Sequence, residues 1–315
     1  MTRVLVTGGQ GLIGRPMCEY LVRQNLEVRA FDLPTHIFVG KRKPIEGAEN
    51  WHGSILDMET LSFAMRGCDY VVHLAALMGV ENTERRPTDC LNININGTKN
   101  VLECAKMTDV KKVLFSSSSE IYGDSLNVPV SESEPPRPKS VYGVSKLAGE
   151  EYVKAYHREC GLTYTIVRFF NVYGAQQVPG FVISNFISAV LSDQPLKVLG
   201  DGQQIRSFCY VDDAVRGAYL ALFSEKAENN IFNIGNDQEP ITIKELAYKV
   251  LSVAGKEADP IFISEEGNRN KYREIFRRIP DISKARQLLG YEPQIPLEAG
   301  IAEVLKANVR SGREP

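Results

Sequence analysis

The segment Val4-Leu-Val-Thr-Gly-Gly-Gln-Gly-Leu-Ile-Gly14 joins a short apolar run to the first helical pattern of the chain. Its glycines Gly8, Gly11 and Gly14 stand where a strand turns into a helix. Such a turn needs backbone that can take positive φ and can approach a ligand without a Cβ in the way. The amide hydrogens of the helix N-terminus then attract an anion. The segment therefore predicts a turn that binds the pyrophosphate of a dinucleotide.

Beyond this turn, short β-branched runs alternate with longer helical patterns. The apolar runs are RVLVTG, LEVRAFD, YVVHLAA, KKVLFSS and TYTIVRFF. The helical patterns lie at about 13–24, 58–65, 94–106 and 142–159. This alternation is typical of βαβ units, and nearly all-apolar strands indicate a parallel sheet covered on both faces. We therefore predict an α/β fold of the Rossmann type, with a doubly wound parallel sheet.

After residue 171 the pattern becomes less regular, with turn signals at VPG, SDQP and GDGQ. Helices are predicted there at 182–191 and 242–254. SFCYV, a helix over 212–223 and NIFNIG are expected to return to the large sheet. Two interlaced domains are thus predicted: a dinucleotide-binding domain of residues 1–170 and about 208–238, and a smaller C-terminal substrate domain of about 171–207 and 239–315.

The composition excludes several classes of protein. The 315 residues are 43% hydrophobic and 24% charged, which is typical of a globular protein with a sizeable core. A net charge of -2 without a long Lys/Arg run argues against nucleic acid or an anionic membrane as the main partner. We expect neither a signal peptide nor a membrane-spanning segment, since no apolar run is long enough.

The six cysteines are scattered, without a CxxC pair or any metal-ligand spacing. They are interpreted as reduced and mostly buried residues. This usage predicts a cytoplasmic protein without a metal site. The cysteines are Cys18, Cys68, Cys90, Cys104, Cys160 and Cys209.

Two acidic residues follow predicted strands near the glycine turn. Asp32 lies eighteen residues after Gly14, where a carboxylate accepts hydrogen bonds from both hydroxyls of an adenine ribose. Because a carboxylate repels a 2'-phosphate, Asp32 favours NAD over NADP. A solvated loop acid is the alternative. Asp57, after the third strand, is placed to accept a hydrogen bond from the adenine amino group.

A polar segment, FSSSSEIYGD at residues 115–124, follows the apolar run VKKVLF. Serine-rich segments commonly mark loops, so a functional role needs further support. Tyr142 and Lys146, in VYGVSK, are four residues apart and share one helix face. An ammonium beside a phenol lowers the phenol's pKa and so gives a base that can deprotonate a hydroxyl while hydride leaves the same carbon. A core tyrosine with a solvated lysine is the alternative.

Six motifs occur in order along the chain, within a match that runs from Val4 to Pro293: TGGQGLIG, HLAAL, the strand-end serines, YGVSK, RFFNVYG and GDGQQIRSF. Together they resemble the extended short-chain dehydrogenase/reductase family, in particular its nucleotide-sugar epimerase/dehydratase branch. Each motif alone is modest in specificity, but the combination is highly specific. The resemblance implies tight binding of NAD, oxidation of a sugar carbon, usually C4, to a ketone, and often return of the hydride.

The resemblance also assigns roles by position. Tyr142 corresponds to the catalytic base, and Lys146 also to a holder of the nicotinamide ribose. Ser118 corresponds to the residue that hydrogen-bonds the same sugar oxygen, while Ser116 and Ser117 correspond to the backbone turn and a cofactor contact. The other cofactor-binding positions are Gly8, Gly11, Leu12, Ile13, Gly14, Asp32, Ile55, Asp57, Leu74, Ala75 and Ala76.

Ser119 and Glu120 distinguish the branches of this family. Simple 4-epimerases usually carry small or neutral residues there, 4,6-dehydratases an acidic pair, and nucleotide-glucuronate decarboxylases Ser-Glu. Inverting C4 needs one base and a rotation of the ketone, whereas removing a C5 proton or a C5 carboxylate calls for a further acid/base. Glu120 either fills that role or is a carboxylate paired with nearby backbone amides.

Several polar residues resemble substrate-binding positions. Asn171 corresponds to an asparagine that binds the phosphates or the sugar, and Arg206 to an arginine that clamps the diphosphate. Arg277 and Arg278 resemble a second clamp, which can also bind a uronic carboxylate, or they are surface arginines. The motif RRxPD is more similar to the corresponding motif of the decarboxylases than to that of common 4-epimerases. YGVSK and RFFNVYGAQQ are closer to epimerases and 4,6-dehydratases, and Ser207 replaces an acid common after the clamping arginine.

The resemblance further implies a homodimer that pairs through a four-helix bundle. The helices at about 94–106 and 142–159 correspond to the helices that pair in this way. Their apolar residues either form that face or belong to an ordinary core. These residues are Val101, Leu102, Ala105, Leu147, Ala148 and Val153.

The predicted function is that of an NAD-dependent enzyme of carbohydrate metabolism that acts on a nucleotide-diphosphate sugar. The first hypothesis is a 4-epimerase of a UDP-sugar, because epimerisation is the commonest activity among similar sequences. Decarboxylation or dehydration through the same 4-keto intermediate is the alternative, supported by Glu120 and Arg278. A non-catalytic NAD-sensing protein is a third hypothesis, and the joint presence of Ser118, Tyr142 and Lys146 argues against it.

Overall fold

The computed structural model describes residues 1–34, 43–125, 127–264 and 275–310. Within these ranges the centre of the fold is a seven-stranded sheet. Its strands are β1 (Arg3–Thr7), β2 (Glu27–Asp32), β3 (Glu49–His52), β4 (Tyr70–His73), β5 (Lys112–Ser118), β6 (Thr163–Phe169) and β11 (Asn230–Ile234). Their order is β11-β6-β5-β4-β1-β2-β3, and each pair is parallel. The predicted doubly wound Rossmann sheet is confirmed.

Helices flank this sheet and the smaller ones. Where a helix was predicted, its observed bounds agree with the predicted range to within about three residues. The α-helices are α1 (Gly14–Arg23), α2 (Met58–Met65), α3 (Val80–Arg85), α4 (Pro87–Leu91), α5 (Gly97–Met107), α6 (Val141–Cys160), α7 (Val182–Leu191), α8 (Val211–Phe223), α9 (Ile243–Val253), α10 (Ser283–Leu289) and α11 (Leu297–Arg310). Short 3-10 helices span Ser119–Tyr122 and Glu225–Ala227. The helix predicted from residue 94 begins at Gly97, because Asn92–Asn96 winds as a π-helix.

The strand β1 shows why helices cover both faces of the sheet. Val4 and Val6 are buried in one apolar cluster with Leu21 of α1. Leu5 is buried in a second cluster with Leu61 of α2. Successive side chains of a strand point to opposite faces, so an all-apolar strand needs a layer of helices on each side.

The order of the strands changes direction at β1, which lies between β4 and β2. In open parallel sheets, ligands bind outside the carboxyl ends of the strands at such a point. The glycine turn follows β1, Asp32 ends β2, and the serines end β5. The fold therefore brings these predicted site residues to one edge of the sheet.

In the part of the chain that the structure describes, three small sheets lie outside the large one. β7 (Val172–Tyr173) pairs with β10 (Cys209–Tyr210), β9 (Ile205–Ser207) lies between β12 (Pro240–Thr242) and β14 (Arg277–Arg278), and β8 (Lys197–Leu199) pairs with β13 (Ile261–Ile263). Helices α7, α9 and α11 enclose a third apolar cluster with them. This cluster gives α7, α9, α11 and the small sheets a core of their own, whereas α8, α10 and β11 pack in the first apolar cluster.

The return of the chain to the large sheet differs from the prediction in one segment. NIFNIG supplies β11, which pairs with β6 as predicted. SFCYV does not join the large sheet, since Cys209–Tyr210 pairs instead with Val172–Tyr173. The segment is divided between two small sheets, because Ser207 ends β9, Cys209–Tyr210 forms β10 and α8 begins directly after Tyr210.

Six apolar residues were predicted to form either a dimer face or an ordinary core. Four of them belong to the core. Val101, Leu102, Ala105 and Val153 are at most 1% exposed and pack in the second apolar cluster. Side chains enclosed within one chain have no surface left for another. Only Leu147 and Ala148 of that set keep partial exposure.

No helix within the described ranges has both the length and the apolarity to cross a membrane. The same part of the chain holds no group of three or more His, Cys, Asp or Glu residues arranged for a metal ion. All six cysteines are free, and only Cys160 is exposed. The prediction that most of the cysteines are buried is confirmed.

Candidate active site

The glycine turn between β1 and α1 is shaped by close backbone contacts. Gly8 has a φ of 73°, and a Cβ there would lie 2.8 Å from the amide nitrogen of Ala75. A Cβ on Gly14 would lie 1.9 Å from the carbonyl oxygen of Gly8. That oxygen also accepts a hydrogen bond from the Gly11 amide at 2.9 Å. The turn therefore packs backbone against backbone and leaves no room for larger residues.

The turn leads into α1, whose N-cap residue Ile13 provides no side-chain hydrogen bond. The first amides of a helix have no partner within the helix, and their partial positive charge suits an anion. The Leu12 and Ile13 backbone belongs to this same entry into the helix. In this helix the Arg15 amide donates to the Gly11 carbonyl at 3.2 Å and Pro16 has no amide hydrogen. The tight glycine turn and the positive end of the helix dipole therefore carry the fit to a pyrophosphate group.

Asp32 borders the glycine turn at the end of β2. Its side chain is buried and accepts hydrogen bonds from the amides of Gln10 and Leu33, both at 2.7 Å. The amide of Gln10 belongs to the turn itself, so the carboxylate is fixed beside it. An acid in this position fits a dinucleotide whose adenine ribose carries free hydroxyls.

The loop after β4, residues 74–76, is held by Asn94, a residue that sequence analysis did not single out. The Asn94 Oδ1 accepts a hydrogen bond from the Leu77 amide at 2.7 Å. Its Nδ2 donates to the Leu77 carbonyl at 3.0 Å and to the Ser145 hydroxyl of α6 at 2.9 Å. Asn94 lies in the π-helix, a rare structure frequent at functional sites. The repeated asparagines of LNININGT were the available signal.

Two predicted cofactor contacts, Asp57 and Ile55, have partners within the protein. Asp57 is the N-cap of α2, and its carboxylate accepts hydrogen bonds from the Thr60 hydroxyl and from the Thr60 and Glu59 amides. These bonds, the Thr60 hydroxyl foremost, lower the pKa of Asp57. Ile55 is buried in the second apolar cluster, and its carbonyl accepts a hydrogen bond from Asn100 at 3.0 Å. Both residues thus have structural roles, and their contact with the cofactor stays a prediction.

Helix α6 brings Tyr142 and Lys146 to the end of β5. The Lys146 Nζ donates a hydrogen bond to the Ser116 carbonyl at 2.7 Å and lies 5.8 Å from the centre of the Tyr142 ring. The Ser118 hydroxyl lies near the Tyr142 phenol and lowers its pKa. Ser118 and Tyr142, the residues predicted to act on one sugar oxygen, therefore lie together with Lys146.

The pKa of Tyr142 is raised above its ordinary value, whereas the sequence predicted a lowered one. Burial of the phenol is the main cause, and the Glu120 carboxylate adds to it, while the hydrogen bond with Ser118 acts in the opposite direction. The ammonium of Lys146 is directed at a backbone carbonyl of β5. Burial lowers the pKa of Lys146 itself to about 8.

Glu120 is paired with an arginine from a distant part of the chain. Its carboxylate forms a 2.6 Å ion pair with Arg278 and accepts a hydrogen bond from the Ser140 hydroxyl at 3.3 Å. The Glu120 amide donates to the Ser118 hydroxyl at 3.2 Å. Within the described ranges, side chains rather than backbone amides thus bind this carboxylate. Ser119, the neighbour predicted to act with Glu120, is buried in the 3-10 helix.

Asn171 joins Arg278 to Ser207. It adopts a positive φ of 39°, donates from Nδ2 to the Ser207 carbonyl at 2.9 Å, and accepts from the Arg278 Nη1 at 3.5 Å. Two buried atoms of its neighbours, the Arg278 Nε and the Ser207 Oγ, have no hydrogen-bond partner among the residues described. Buried polar groups are nearly always paired, so these atoms fit a polar ligand.

Arg206 and Arg278 occupy paired positions of β9 and β14. The Arg206 Nη1 donates to the carbonyls of Ile205 at 2.9 Å and Phe276 at 3.1 Å. Arg277 is exposed, whereas Arg278 is partly buried against Glu120. The alternation of side chains along β14 therefore brings Arg278, and not Arg277, to the site.

Several known proteins are similar to this chain. Residues 4–235 match the profile of the NAD dependent epimerase/dehydratase family. A Methanocaldococcus jannaschii protein with the provisional name UDP-glucose 4-epimerase is 36% identical over 310 residues, 96% of this chain and 97% of the relative. The UDP-N-acetyl-alpha-D-glucosaminuronate decarboxylase of Bacillus cytotoxicus is 33% identical over 318 residues, 96% of this chain and 97% of the relative.

A solved structure is similar over the whole fold. The UDP-glucuronic acid 4-epimerase from Bacillus cereus, in complex with UDP-glucuronic acid and NAD, is 31% identical with a TM-score of 0.88. The match covers 98% of this chain and 100% of that chain. The likeness therefore includes both the large sheet and the segments after residue 171.

Proposed function

The chain belongs to the NAD-dependent epimerase/dehydratase family, and on that basis we propose that it is an enzyme that inverts the C4 configuration of a UDP-sugar. The observation that carries the proposal is the meeting of Ser118, Tyr142 and Lys146 at the sheet edge that holds the glycine turn. The relatives' names include 4-epimerases and a decarboxylase of UDP-sugars. All of these reactions fit oxidation of the sugar at C4.

The cofactor proposed for this reaction is NAD, as in the Bacillus cereus structure. The turn of Gly8, Gly11 and Gly14 would hold the pyrophosphate, and Asp32 the adenine ribose. A 2'-phosphate on that ribose would place two anionic groups in contact, which favours NAD over NADP. When bound, NAD supplies the nicotinamide that accepts hydride from the sugar C4.

Tyr142 is the proposed acid/base. Its phenolate takes the proton of the C4 hydroxyl as the hydride leaves that carbon, and its phenol returns the proton after the ketone has turned its other face. Ser118 hydrogen-bonds the same oxygen. Lys146 holds the nicotinamide ribose, and Asn171, Arg206 and Arg278 bind the nucleotide-sugar.

To act as a base, Tyr142 must lose its proton, and this needs a nearby positive charge. Because its pKa is raised, the phenol is protonated at neutral pH. A cation beside the phenol stabilises the phenolate. With a pKa of about 8, Lys146 is mostly charged at neutral pH and is placed on the same helix face to supply that charge.

Incubation with UDP-glucose, UDP-N-acetylglucosamine and UDP-glucuronate tests the function. We expect one of them to equilibrate with its 4-epimer, as measured by anion-exchange chromatography and proton NMR. In D2O the product should carry no deuterium at C5 or C6, because epimerisation at C4 deprotonates neither carbon. Failure to convert any UDP-, GDP-, CDP- or dTDP-sugar would instead support a non-catalytic NAD-sensing protein.

A second candidate function, decarboxylation of a UDP-hexuronate, is favoured by the Glu120–Arg278 ion pair. The Arg278 guanidinium could bind a carboxylate at C6 of the sugar through two parallel hydrogen bonds, since its Nε has no partner among the described residues. Glu120, released from Arg278, would then supply a second acid/base near C5. This route shares the 4-keto intermediate and Tyr142 with epimerisation, and deuterium incorporated at C5 from D2O would identify it.

Replacing Arg278 by Met separates acidic from neutral sugars. We expect KM for UDP-glucuronate to rise about 10- to 150-fold, the equivalent of the 1.5–3 kcal/mol typical of a hydrogen bond to a charged group. KM for UDP-glucose should rise less than KM for UDP-glucuronate, since its C6 hydroxyl carries no charge and the variant removes only the other contacts of Arg278 with the nucleotide-sugar. Steady-state kinetics with both sugars measure the difference. Arg277→Met, at the exposed neighbour, is the matched control, and an equal effect on both sugars would contradict a carboxylate-binding role.

We also infer a cytoplasmic homodimer that pairs through a four-helix bundle of α5 and α6. The two helices pack on one another, and the Tyr156 hydroxyl donates to Glu103 at 2.8 Å. Beside this contact, Leu147, Ala148 and Tyr152 of α6 keep partial exposure. Six free thiols suit a reducing compartment.

A further inference from the structure

A bidentate ion pair is buried one turn beyond Lys146 on α6. Arg168 of β6 donates from Nε to the Glu150 Oε1 at 2.9 Å and from Nη2 to the Oε2 at 2.7 Å. The side chain of Glu150 is 0% exposed and that of Arg168 is 3% exposed. Glu150 lies four residues after Lys146 and so shares its helix face.

The ion pair is tied to the strands and turns that carry the site. The Ser117 hydroxyl donates to the Glu150 Oε1 at 2.5 Å, and Ser117 stands between the two serines of β5 that contact the Tyr-Lys pair. Arg168 Nη1 donates to the Tyr122 hydroxyl at 2.9 Å, which donates to the Asn233 Oδ1 at 2.7 Å. One buried network therefore joins α6 to β5, to β6, to the 3-10 helix after β5 and to β11.

Stability alone does not account for charges in this place. Removing two charged groups from water costs several kcal/mol per ion, and apolar residues of similar volume are often equally stable. Losing one partner, by contrast, leaves an unpaired buried charge. A buried pair beside a reactive helix face therefore indicates a role in orientation or in local charge.

The groups around Lys146 come from several elements. His73 of β4 and Cys90 of α4 lie near its ammonium, Tyr142 and Glu150 share its helix, and β5 contributes a backbone carbonyl. Burial lowers the pKa of His73 to about 3 and raises that of Cys90, so both are neutral at pH 7. The charge of Glu150 opposes the loss of the Lys146 proton that burial promotes.

We propose that Glu150 is a positioning residue for the reaction. Locked by Arg168 and Ser117, it holds α6 against β5 so that the Lys146 ammonium and the Tyr142 phenol stay in register with the sugar and the nicotinamide ribose. Its negative charge stabilises the charged form of Lys146. The hydrogen bond that it accepts from Ser117 holds the serine segment of β5 in place. This inference deepens the proposed function and rests on it.

The variant Glu150→Gln tests the proposal, because the amide keeps the size but removes the charge. We expect kcat to fall about tenfold, an effect typical of one lost charged hydrogen bond, with KM changed less than about threefold. The alkaline limb of the kcat–pH profile should move down by about one pH unit, since Lys146 loses its proton more readily without the nearby carboxylate. Titration of the lysine ε-carbons by 13C NMR, without substrate and assigned with Lys146→Arg, should show the same shift.

Two further variants separate positioning from folding. Glu151→Gln, at the exposed neighbour, should leave kcat, the pH profile and the Lys146 titration unchanged. In the double variant Glu150→Leu with Arg168→Met, apolar packing should bring Tm back above that of Glu150→Gln, while kcat and the Lys146 titration stay altered. A native pH profile and a native Lys146 titration in Glu150→Gln would overturn the inference. If the wild-type protein converts no sugar, the proposed function fails, and the Lys146 titration alone decides the role of Glu150.

Discussion

Replacing Tyr142 by Phe is expected to lower kcat by about 10²- to 10⁴-fold, the usual contribution of a positioned acid/base. The ring remains in place, so packing around α6 is kept, but no group at that position can accept the proton of the C4 hydroxyl. KM should change little, because Asn171, Arg206 and Arg278 would still bind the nucleotide-sugar. Initial rates with the UDP-sugar that the wild-type protein converts measure the loss.

The matched control for this variant is Tyr152→Phe, which removes a hydroxyl from the same helix outside the site. Its kcat should stay within about twofold of the wild-type value, as is usual for surface changes. NAD released by acid from both proteins should equal that from the wild type. Native turnover in Tyr142→Phe would mean that a different group moves the proton, and the proposed mechanism would have to be abandoned.

Replacing Gly14 by Ala is expected to weaken NAD binding by at least about 100-fold, the equivalent of about 2.7 kcal/mol. The added Cβ would lie 1.9 Å from the Gly8 carbonyl, so one of two backbone segments must move. The movement opens the turn that would hold the pyrophosphate. Overpacking of this kind also costs about 1–3 kcal/mol of stability. Calorimetry with NAD and thermal unfolding measure the two effects.

Gly11→Ala provides a graded comparison within the same turn. Its Cβ would lie 3.1 Å from the same Gly8 oxygen, a contact that a shift of a few tenths of an ångström relieves. Its NAD affinity should therefore fall much less than that of Gly14→Ala. Equal losses in the two variants, or native affinity in Gly14→Ala, would show that space in the turn does not control binding.

Features that depend on neighbouring residues were predictable from the sequence. The apolar runs predict parallel strands because both faces of such a sheet are buried, and the sheet is confirmed. Tyr142 and Lys146 share a face because helical geometry relates residues four apart. The glycine turn was recognisable because its position between strand and helix requires residues without a Cβ.

Features that depend on distant segments were not predictable in the same way. The sequence named Arg278 only through the family resemblance, and it is the pairing of β14 with β9 that shows Arg278 beside Glu120. The direction of the Tyr142 pKa shift was wrong because burial, which raises it, is a property of the assembled fold. Asn94 was missed because an asparagine inside a helix more often faces solvent or a local turn.

The late return of the chain to the large sheet imposes an order on events during protein synthesis. Until residue 234 has left the ribosome, β6 is an edge strand with unpaired backbone groups, and Arg168 lacks the Tyr122–Asn233 end of its network. At roughly 5–20 residues per second, a nascent chain spends several seconds in that state. A truncated product of residues 1–170 would keep the complete glycine turn and the Tyr142–Lys146 pair but would leave this edge open to aggregation.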